Sequence, residues 1–148
     1  MRIGIAADHR GYETKEQIKE YFKNKYEIID YGTNSKERVD YPKYGIRLGE
    51  KVRDNKVDYG IAICGSAIGF SVACNKVKGI RCGKINTVEE AIHAKENDFI
   101  NIIALSGEGT PLETNIKIIE AFLNAKENTS DPVYQERVNQ IIRYENDR

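Results

Sequence analysis

The sequence predicts an α/β fold: a doubly wound, five-stranded parallel sheet with helices on both faces, Rossmann-like in its connectivity. Short apolar runs alternate along the chain with segments whose apolar residues recur at helical spacing. The run 58–64 is apolar without polar alternation, which is typical of a strand covered on both faces. Because the alternation continues without a linker or an internal repeat, residues 1–148 are expected to form a single domain.

The alternation assigns the elements in chain order. Strands are predicted over residues 3–7, 26–30, 58–64, 79–82 and 100–105. Helices are predicted over residues 12–22, 40–53, 67–75, 88–96, 111–126 and 131–144.

Local signals support several of these boundaries. The first helix has one apolar stripe, formed by Ile18, Tyr21 and Phe22. Pro42 suits a first helical turn, where its missing N–H leaves no hydrogen bond unmade. Thr87 can cap the helix that follows it.

The last helix, over about 131–145, carries its own apolar stripe of Val138, Ile141 and Ile142. The segment 128–132 only breaks two terminal helices and does not separate domains. We expect this helix to pack on a neighbouring subunit rather than on its own core.

Composition argues against several classes of partner. Hydrophobic residues make up 40% of the chain and charged residues 31%, the usual balance of a globular domain. Lys+Arg and Asp+Glu both number 23, so the formal net charge is zero. A nucleic-acid-binding protein normally has a basic excess, and a membrane tether needs a basic cluster. We therefore expect no nucleic-acid partner and no membrane association.

The cysteines and the amino terminus indicate a compartment. The three cysteines have no Cys-x-x-Cys spacing, and with two histidines they make a poor zinc set and a poor disulfide framework. The first apolar run ends at Asp8, too early for a signal peptide. No apolar run reaches the ~18 residues of a membrane span. We expect a cytoplasmic protein without a metal site.

Two predicted strand ends carry chemically active side chains. In open α/β sheets, ligands bind beyond the carboxyl ends of the strands, where the strand order reverses. Asp8 and His9 follow the first strand, and Cys64 begins the turn of residues 64–69 after the third. Backbone N–H groups from Gly65 to Gly69 can point into one concavity and hold an oxyanion. A thiol beside such donors can act as a base.

Each of these residues also has a purely structural interpretation. Cys64 is either a reactive thiol or a buried small hydrophobic residue. The glycines permit a tight turn, whether or not it binds an anion. Asp8 is either a functional carboxylate or a helix cap, and His9 is as readily structural as functional. Cys74 and Cys82 are interpreted as packing residues.

Known phosphate-binding and redox motifs do not fit the turn after the third strand. A Cys-x5-Arg phosphatase loop requires arginine at position 70, where this chain has Phe70. The chain has no Gly-Lys-Ser/Thr of a Walker loop and no dinucleotide-binding fingerprint after either strand. A thioredoxin-like site is excluded because Cys-x-x-Cys is absent.

Six segments together carry a resemblance to a known family. They are Asp8-His9-Arg10-Gly11, Tyr31-Gly32-Thr33, Val39-Asp40-Tyr41-Pro42, the segment 61–69, the segment 75–81, and Asn97-Asp98. In this order and nearly this spacing they resemble the family of ribose-5-phosphate isomerase B and galactose-6-phosphate isomerase. The resemblance covers the chain from end to end and implies the same doubly wound fold.

The resemblance implies aldose–ketose isomerisation through a cis-enediolate, most simply between ribose 5-phosphate and ribulose 5-phosphate, without metal or organic cofactor. Cys64 is similar to the family's base, which moves a proton between C1 and C2. Ser66 stands where the family usually has a threonine that helps relay protons at the sugar oxygens. Because the family's site lies between subunits, the resemblance implies a homodimer or a tetramer that binds a small sugar or sugar phosphate.

The family positions carried over form two groups. The expected catalytic residues are Cys64, Ser66, Asp8 and Glu96. The expected substrate-binding residues are His9, Tyr41, Gly65, Ala67, Ile68, Gly69, Asn97 and Arg137.

The departures from the family pattern cluster where the substrate is expected. Glu96 replaces the histidine assigned to ring opening, and His93 lies one turn earlier on the same helix. Either residue can do acid–base work, and a solvated helix position is the alternative for both. Glu108 replaces a phosphate-binding arginine, and of the tail's usual basic groups only Arg137 is kept. Arg10 or Arg143 are candidates to compensate.

Three functions stay open at this stage. The first is an isomerase of ribose 5-phosphate, and the second is an isomerase of another sugar or sugar phosphate, of the galactose 6-phosphate type. The third is a non-catalytic, sugar-binding partner subunit, which the loss of the usual histidine and arginines favours. Retention of Cys64 beside an anion-binding turn argues for an enzyme, because binding alone does not require a thiol there.

Overall fold

A single parallel sheet organises the computed structural model, which describes the whole chain, Met1–Arg148. Its strands are β1 (Arg2–Ala7), β2 (Glu27–Asp30), β3 (Tyr59–Cys64), β4 (Cys82–Lys84) and β5 (Ile102–Ser106). Their spatial order is β2-β1-β3-β5-β4, and every neighbouring pair is parallel. The connecting helices are α1 (Tyr12–Phe22), α2 (Tyr41–Arg53), α3 (Ile68–Cys74), α4 (Val88–Asp98), α5 (Leu112–Asn124) and α6 (Pro132–Asn146).

The chain winds in two directions from the centre of the sheet, as predicted. It runs outward from β1 to β2, returns to β3 beside β1, and then builds the other half. The point at which the strand order reverses therefore lies between β1 and β3. Their carboxyl ends are in register there, with Ala7 opposite Ile63.

Each face of the sheet buries its own apolar cluster, because successive strand side chains point to opposite faces. Ile61 and Ile63 join the cluster covered by α1, α4 and α5. Ala62 and Cys64 join the cluster covered by α2 and α3. The alternation thus directs the Cys64 side chain towards α2 and α3.

Several predicted boundaries differ from the observed ones, and three of them have a local cause. The strand expected over 79–82 is β4 (Cys82–Lys84), because Gly79 has a φ of +87° and Ile80 N–H closes a turn onto Val77 O. The last strand begins at Ile102 and not at 100, because Arg81 N–H donates to the Asn101 side-chain oxygen at 2.8 Å and so does not extend the pairing of β4 with β5. Helix α4 continues beyond Glu96 to Asp98 and ends where Phe99 takes a left-handed conformation.

Helix α6 contacts its own domain at few places. Val138 is buried and Glu145 accepts a hydrogen bond from Gly79 N–H at 3.0 Å, whereas Ile141 and Tyr144 are exposed. The packing of this helix on a neighbouring subunit stays a prediction. None of the six helices combines the length and the apolar character needed to cross a membrane.

A cluster of charges closes the carboxyl end of β2. Lys15 is completely buried, and its ammonium bonds Asp30 directly and Glu16 Oε2 at 2.9 Å. Lys19 Nζ lies 2.8 Å from Asp30 Oδ2. Burial opposes ionisation of Asp30, but the hydrogen bonds from Lys15 and Lys19 outweigh it and lower the pKa of the Asp30 carboxyl.

We expect Asp30→Asn to lower the free energy of unfolding at pH 7 by about 2 to 3 kcal/mol, because it leaves the Lys15 charge buried without its main partner. An aspartate whose pKa is lowered by folding stabilises the protein at pH values above 3.8, the ordinary pKa of its carboxyl group. That stabilisation disappears as the pH falls through the folded-state pKa. Urea unfolding between pH 7 and pH 3 measures it.

Asp54→Asn is the matched control, because the Asp54 carboxylate pairs with Arg53 at an exposed site. The control should change unfolding little at any pH. A difference between D30N and wild type that stays constant down to pH 3 would contradict the assignment.

Candidate active site

The turn after β1 places one carboxylate at the point where the strand order reverses. Asp8 N–H donates to Ile63 O at 3.3 Å, which continues the pairing of β1 with β3. Asp8 Oδ1 accepts from the N–H groups of Arg10 and Gly11 at 2.9 and 3.0 Å. Asp8 therefore fixes the turn before α1, but it is not the helix cap that its structural interpretation required, because Gly11 is at the N-cap of α1 and no side chain caps this helix. The other oxygen of Asp8 has no partner in the chain.

The turn after β3 wraps around the Cys64 thiol. Ala67 has a φ of 71°, in the left-handed region, and helix α3 begins only at the next residue. In this conformation Ala67 N–H points back at Cys64 Sγ, at 3.1 Å. Ser66 Oγ accepts from Ile68 N–H at 3.2 Å, which leaves its own proton free to be donated. The turn thus supplies a hydrogen-bond donor that stabilises negative charge on the sulfur.

Three backbone N–H groups of the same turn have no acceptor. The N–H groups of Gly65, Ser66 and Gly69 donate to no atom of the chain, although all three residues line a cavity. Unpartnered N–H groups beside a thiol are the arrangement needed to hold an oxyanion next to a base. The predicted anion-binding turn has this geometry.

Tyr41 and His9 also line this cavity. The Tyr41 ring lies against Gly69 so closely that a Cβ at position 69 would be 2.6 Å from a ring carbon. His9 Nδ1 accepts from Val39 N–H at 3.2 Å, so this nitrogen carries no proton. In the neutral imidazole the proton is then on Nε2, where it is available to a ligand.

These groups surround one cavity of about 690 Å³ at the carboxyl edge of the sheet. Its lining includes eight of the twelve predicted site residues. The residues on its wall are Asp8, His9, Arg10, Arg38, Val39, Asp40, Tyr41, Cys64, Gly65, Ser66, Ile68 and Gly69. The predicted residue Ala67 lies just behind this wall, fully buried.

Arg10 and Arg38 are the cationic groups of the cavity wall. Arg10 Nε lies 3.6 Å from Glu108 Oε1, and both side chains are more than half exposed. Arg38 forms no ion pair within the chain. Arg38 was not among the predicted site residues, although it directly precedes the Val39-Asp40-Tyr41-Pro42 segment that carries Tyr41.

Three predicted site residues lie elsewhere in the chain. Glu96 and Asn97 are in the last turn of α4, which runs antiparallel to the strands and ends at their amino edge. Because Cys64 is at the carboxyl end of β3, the length of this strand places the amino edge about 20 Å from Cys64. Asn97 Nδ2 contacts His93 Nδ1 at 2.9 Å, so His93 does share a face with it. Arg137 is exposed on α6 with its guanidinium over Tyr134. Within one chain none of the three lines the Cys64 cavity.

No set of three His, Cys, Asp or Glu side chains is arranged to hold a metal ion. The three cysteines are buried and unpaired. Cys74 Sγ donates to Gly45 O at 3.3 Å. The interaction with the neighbouring Cys74, together with burial, raises the pKa of Cys82. The groups on the cavity wall therefore include a thiol, two carboxylates, an imidazole, backbone N–H donors and two guanidinium groups.

Comparison with known proteins identifies the family of this chain. Residues 3–141 match the family model described as Ribose/Galactose Isomerase. The chain is 40% identical over 127 residues to the galactose-6-phosphate isomerase subunit LacB of Clostridium acetobutylicum, covering 85% of this chain and 73% of that protein.

Two solved structures have the same fold over nearly all of the chain. Ribose-5-phosphate isomerase B of Clostridium thermocellum gives a TM-score of 0.95 at 36% identity, with 99% of each chain covered. Ribose-5-phosphate isomerase B of Mycoplasma genitalium, solved with bound ribulose-5-phosphate, gives 0.93 at 35% identity, covering 99% of this chain and 97% of that one. The resemblance carried by the six segments is confirmed, and the chain belongs to the ribose/galactose isomerase family.

Proposed function

We propose that this protein is an aldose–ketose isomerase that interconverts ribose 5-phosphate and ribulose 5-phosphate, with Cys64 as the base. One observation carries the proposal: Cys64 Sγ shares a cavity with the unpartnered N–H groups of Ser66 and Gly69. Proton abstraction beside a carbonyl requires a base and an oxyanion site within a few ångströms of each other. The family relatives that act on ribose 5-phosphate support this choice of substrate.

The proposed reaction moves one proton from carbon to carbon. The Cys64 thiolate removes the C2 proton of the open-chain aldose, and the C2–H electron pair becomes a C1–C2 double bond. The carbonyl electron pair moves onto O1, where the N–H groups of Ser66 and Gly69 stabilise its negative charge. The O2 proton passes to O1 with help from the Ser66 hydroxyl, and the thiol returns its proton to C1, leaving a carbonyl at C2.

Asp8 and His9 are proposed to act on the sugar oxygens. The free carboxylate oxygen of Asp8 can take a proton from the ring hydroxyl during opening, while His9 Nε2–H donates to a substrate hydroxyl. Tyr41 covers Gly69 and closes that side of the cavity. The main chain at Gly65, Ala67 and Ile68 shapes the anion-binding turn.

A second copy of the chain is proposed to complete the site. Glu96 and Asn97 lie at the amino edge of the sheet and Arg137 is exposed on α6, so we propose that all three reach Cys64 from a partner subunit. Apolar side chains are exposed beside the cavity on α3, at Ile68 and Val72. Such a surface next to an incomplete site is what a symmetric dimer interface would cover. A homodimer, or a tetramer built from it, is therefore part of the proposal. The three unpaired cysteines suit a reducing compartment, and we propose a cytoplasmic location.

Another phosphorylated aldose is the second candidate substrate. The 40% identity to a galactose-6-phosphate isomerase subunit favours it. An assay of ribose 5-phosphate, galactose 6-phosphate and the corresponding free sugars separates the two. Conversion of none of them by the purified protein would instead indicate a sugar-binding partner subunit.

We expect Cys64→Ala to lower kcat by about 10³-fold, because the variant lacks the base that takes the C2 proton. Cys82→Ala is the matched control, since Cys82 is a buried cysteine on β4 outside the cavity. The control should keep kcat within about 2-fold of wild type. Full activity of C64A on the best substrate would show that the base is another group.

Mixing two inactive variants tests the shared site. Cys64→Ala and Asn97→Ala homodimers should each be nearly inactive, whereas subunit exchange creates heterodimers with one intact site. Statistical exchange then restores about a quarter of wild-type activity. The control is a mixture of Cys64→Ala and Asp8→Ala, two variants whose defects lie in the half of the site that one chain supplies. This mixture should restore no activity. Absence of recovery in the first mixture, with exchange verified by mass spectrometry, would contradict a site built from two chains.

We expect Glu108→Gln to lower KM for phosphorylated substrates by about 3- to 10-fold, because it removes a negative charge that competes for Arg10. The KM for the free sugar should not change. Glu113→Gln is the control, since Glu113 is an exposed carboxylate paired with Lys117 outside the cavity. An equal effect of E108Q on phosphorylated and free sugars would exclude a phosphate beside Arg10.

A further inference from the structure

Ser106 lies directly behind the anion-binding turn and does not line the cavity. It is the last residue of β5 and is paired in register with Cys64. Its hydroxyl lies 2.5 Å from Gly65 O and 2.7 Å from Gly109 N. Because Gly109 N–H must be the donor in the second contact, the single hydroxyl proton of Ser106 is committed to Gly65 O.

The Gly65 carbonyl is held from the β5 side alone. Besides the Ser106 hydroxyl, it accepts a longer hydrogen bond of 3.3 Å from Glu108 N–H. In a planar trans peptide the C=O group and the following N–H group point in opposite directions. Holding Gly65 O towards β5 therefore directs Ser66 N–H away from β5, and this N–H has no acceptor in the chain.

Ser106 is in turn fixed by a buried amide. Asn115 is completely buried on α5, and its Nδ2 donates to Ser106 O at 2.9 Å. The resulting chain of contacts runs from Asn115 through Ser106 to Gly65. The Asn115–Ser106 bond is buried and the Ser106–Gly65 bond is partly buried, and hydrogen bonds in such surroundings are stronger than in water.

We propose that Ser106 is a positioning residue that orients the Gly65–Ser66 peptide, so that Ser66 N–H donates to the oxyanion of the enediolate. The inference rests on the isomerase activity proposed above. Because the negative charge on O1 develops only in the transition state, a misdirected Ser66 N–H lowers kcat more than it raises KM. A residue that merely stabilised the fold would not lower kcat more than it raises KM.

The test compares three variants by steady-state kinetics and by calorimetric binding of a hydroxamate analogue of the enediolate. Ser106→Ala should lower kcat by about 10- to 100-fold, with KM within about 2-fold of wild type. Its affinity for the hydroxamate should fall by a similar factor. Ser106→Thr keeps the hydroxyl and should restore most of both losses. Thr87→Ala removes a hydroxyl that caps α4 at Glu90 N–H, and it should lower the melting temperature without changing kcat.

Each outcome decides the inference. Equal kcat in S106A and wild type, or equal loss of hydroxamate and ground-state sugar affinity, would overturn it. If S106T does not fold, the ratio of hydroxamate to sugar affinity in S106A decides alone. The two proposals fail in different ways: an inactive wild-type protein overturns the isomerase activity and this inference with it, whereas an active wild type with an equally active S106A overturns the inference alone.

Discussion

The site depends on how closely the turn after β1 packs against β3. A Cβ at Gly11 would lie 2.1 Å from Ile63 O, so no residue with a side chain fits without moving a strand in the middle of the sheet. This contact lets α1 begin immediately beside β3, and it holds Asp8 within hydrogen-bonding reach of Ile63 O. The carboxylate and Cys64, one residue beyond Ile63, are therefore brought together by backbone packing rather than by any attraction between them.

Local charges, not the overall charge, determine what the cavity attracts. The formal net charge is zero, so long-range steering of an anionic substrate is weak. Arg10 and Arg38 lie on the wall together with Asp8 and Asp40, and Glu108 pairs with Arg10 from outside. Pairs as exposed as Arg10 and Glu108 contribute little to stability. Their arrangement matters because a phosphate group would have to compete with Glu108 for the same guanidinium.

Much of the fold could be predicted because the sheet follows from simple patterns. The continuous apolar run before Cys64 identified the central strand, and Gly65 and Ser66 marked the turn. The predicted position of strand β4 was wrong because part of the segment 79–82 belongs to a turn at Gly79. The sequence pattern does not reveal the positive φ of this glycine. Short apolar segments do not distinguish a strand from the turn before it.

The part of the candidate site that could be predicted consists of short segments that each have a local sequence pattern. The turns at Asp8 and Cys64 could be identified because strand ends meet at one edge of a parallel sheet. Ser106 could not be identified, since a lone serine at a strand end has no distinguishing pattern and its importance comes from a tertiary contact. Glu96 and Asn97 lie at the amino edge of the sheet because of the direction of α4, which the alternation of strands and helices in the sequence implied. The resemblance alone could not explain how two residues at that edge belong to the site within one chain.

The left-handed conformation of Ala67 is the clearest sign that the turn is shaped for function. A non-glycine residue at a φ of 71° costs roughly 1 kcal/mol relative to glycine. Glycine would relieve that strain, but the methyl group of Ala67 is completely buried between β3 and α3, and its removal would cost about as much again. Glycine would also leave the turn freer to move. Alanine therefore keeps its N–H directed at Cys64 Sγ at little net cost, and the thiol is held beside the free N–H groups before any substrate arrives.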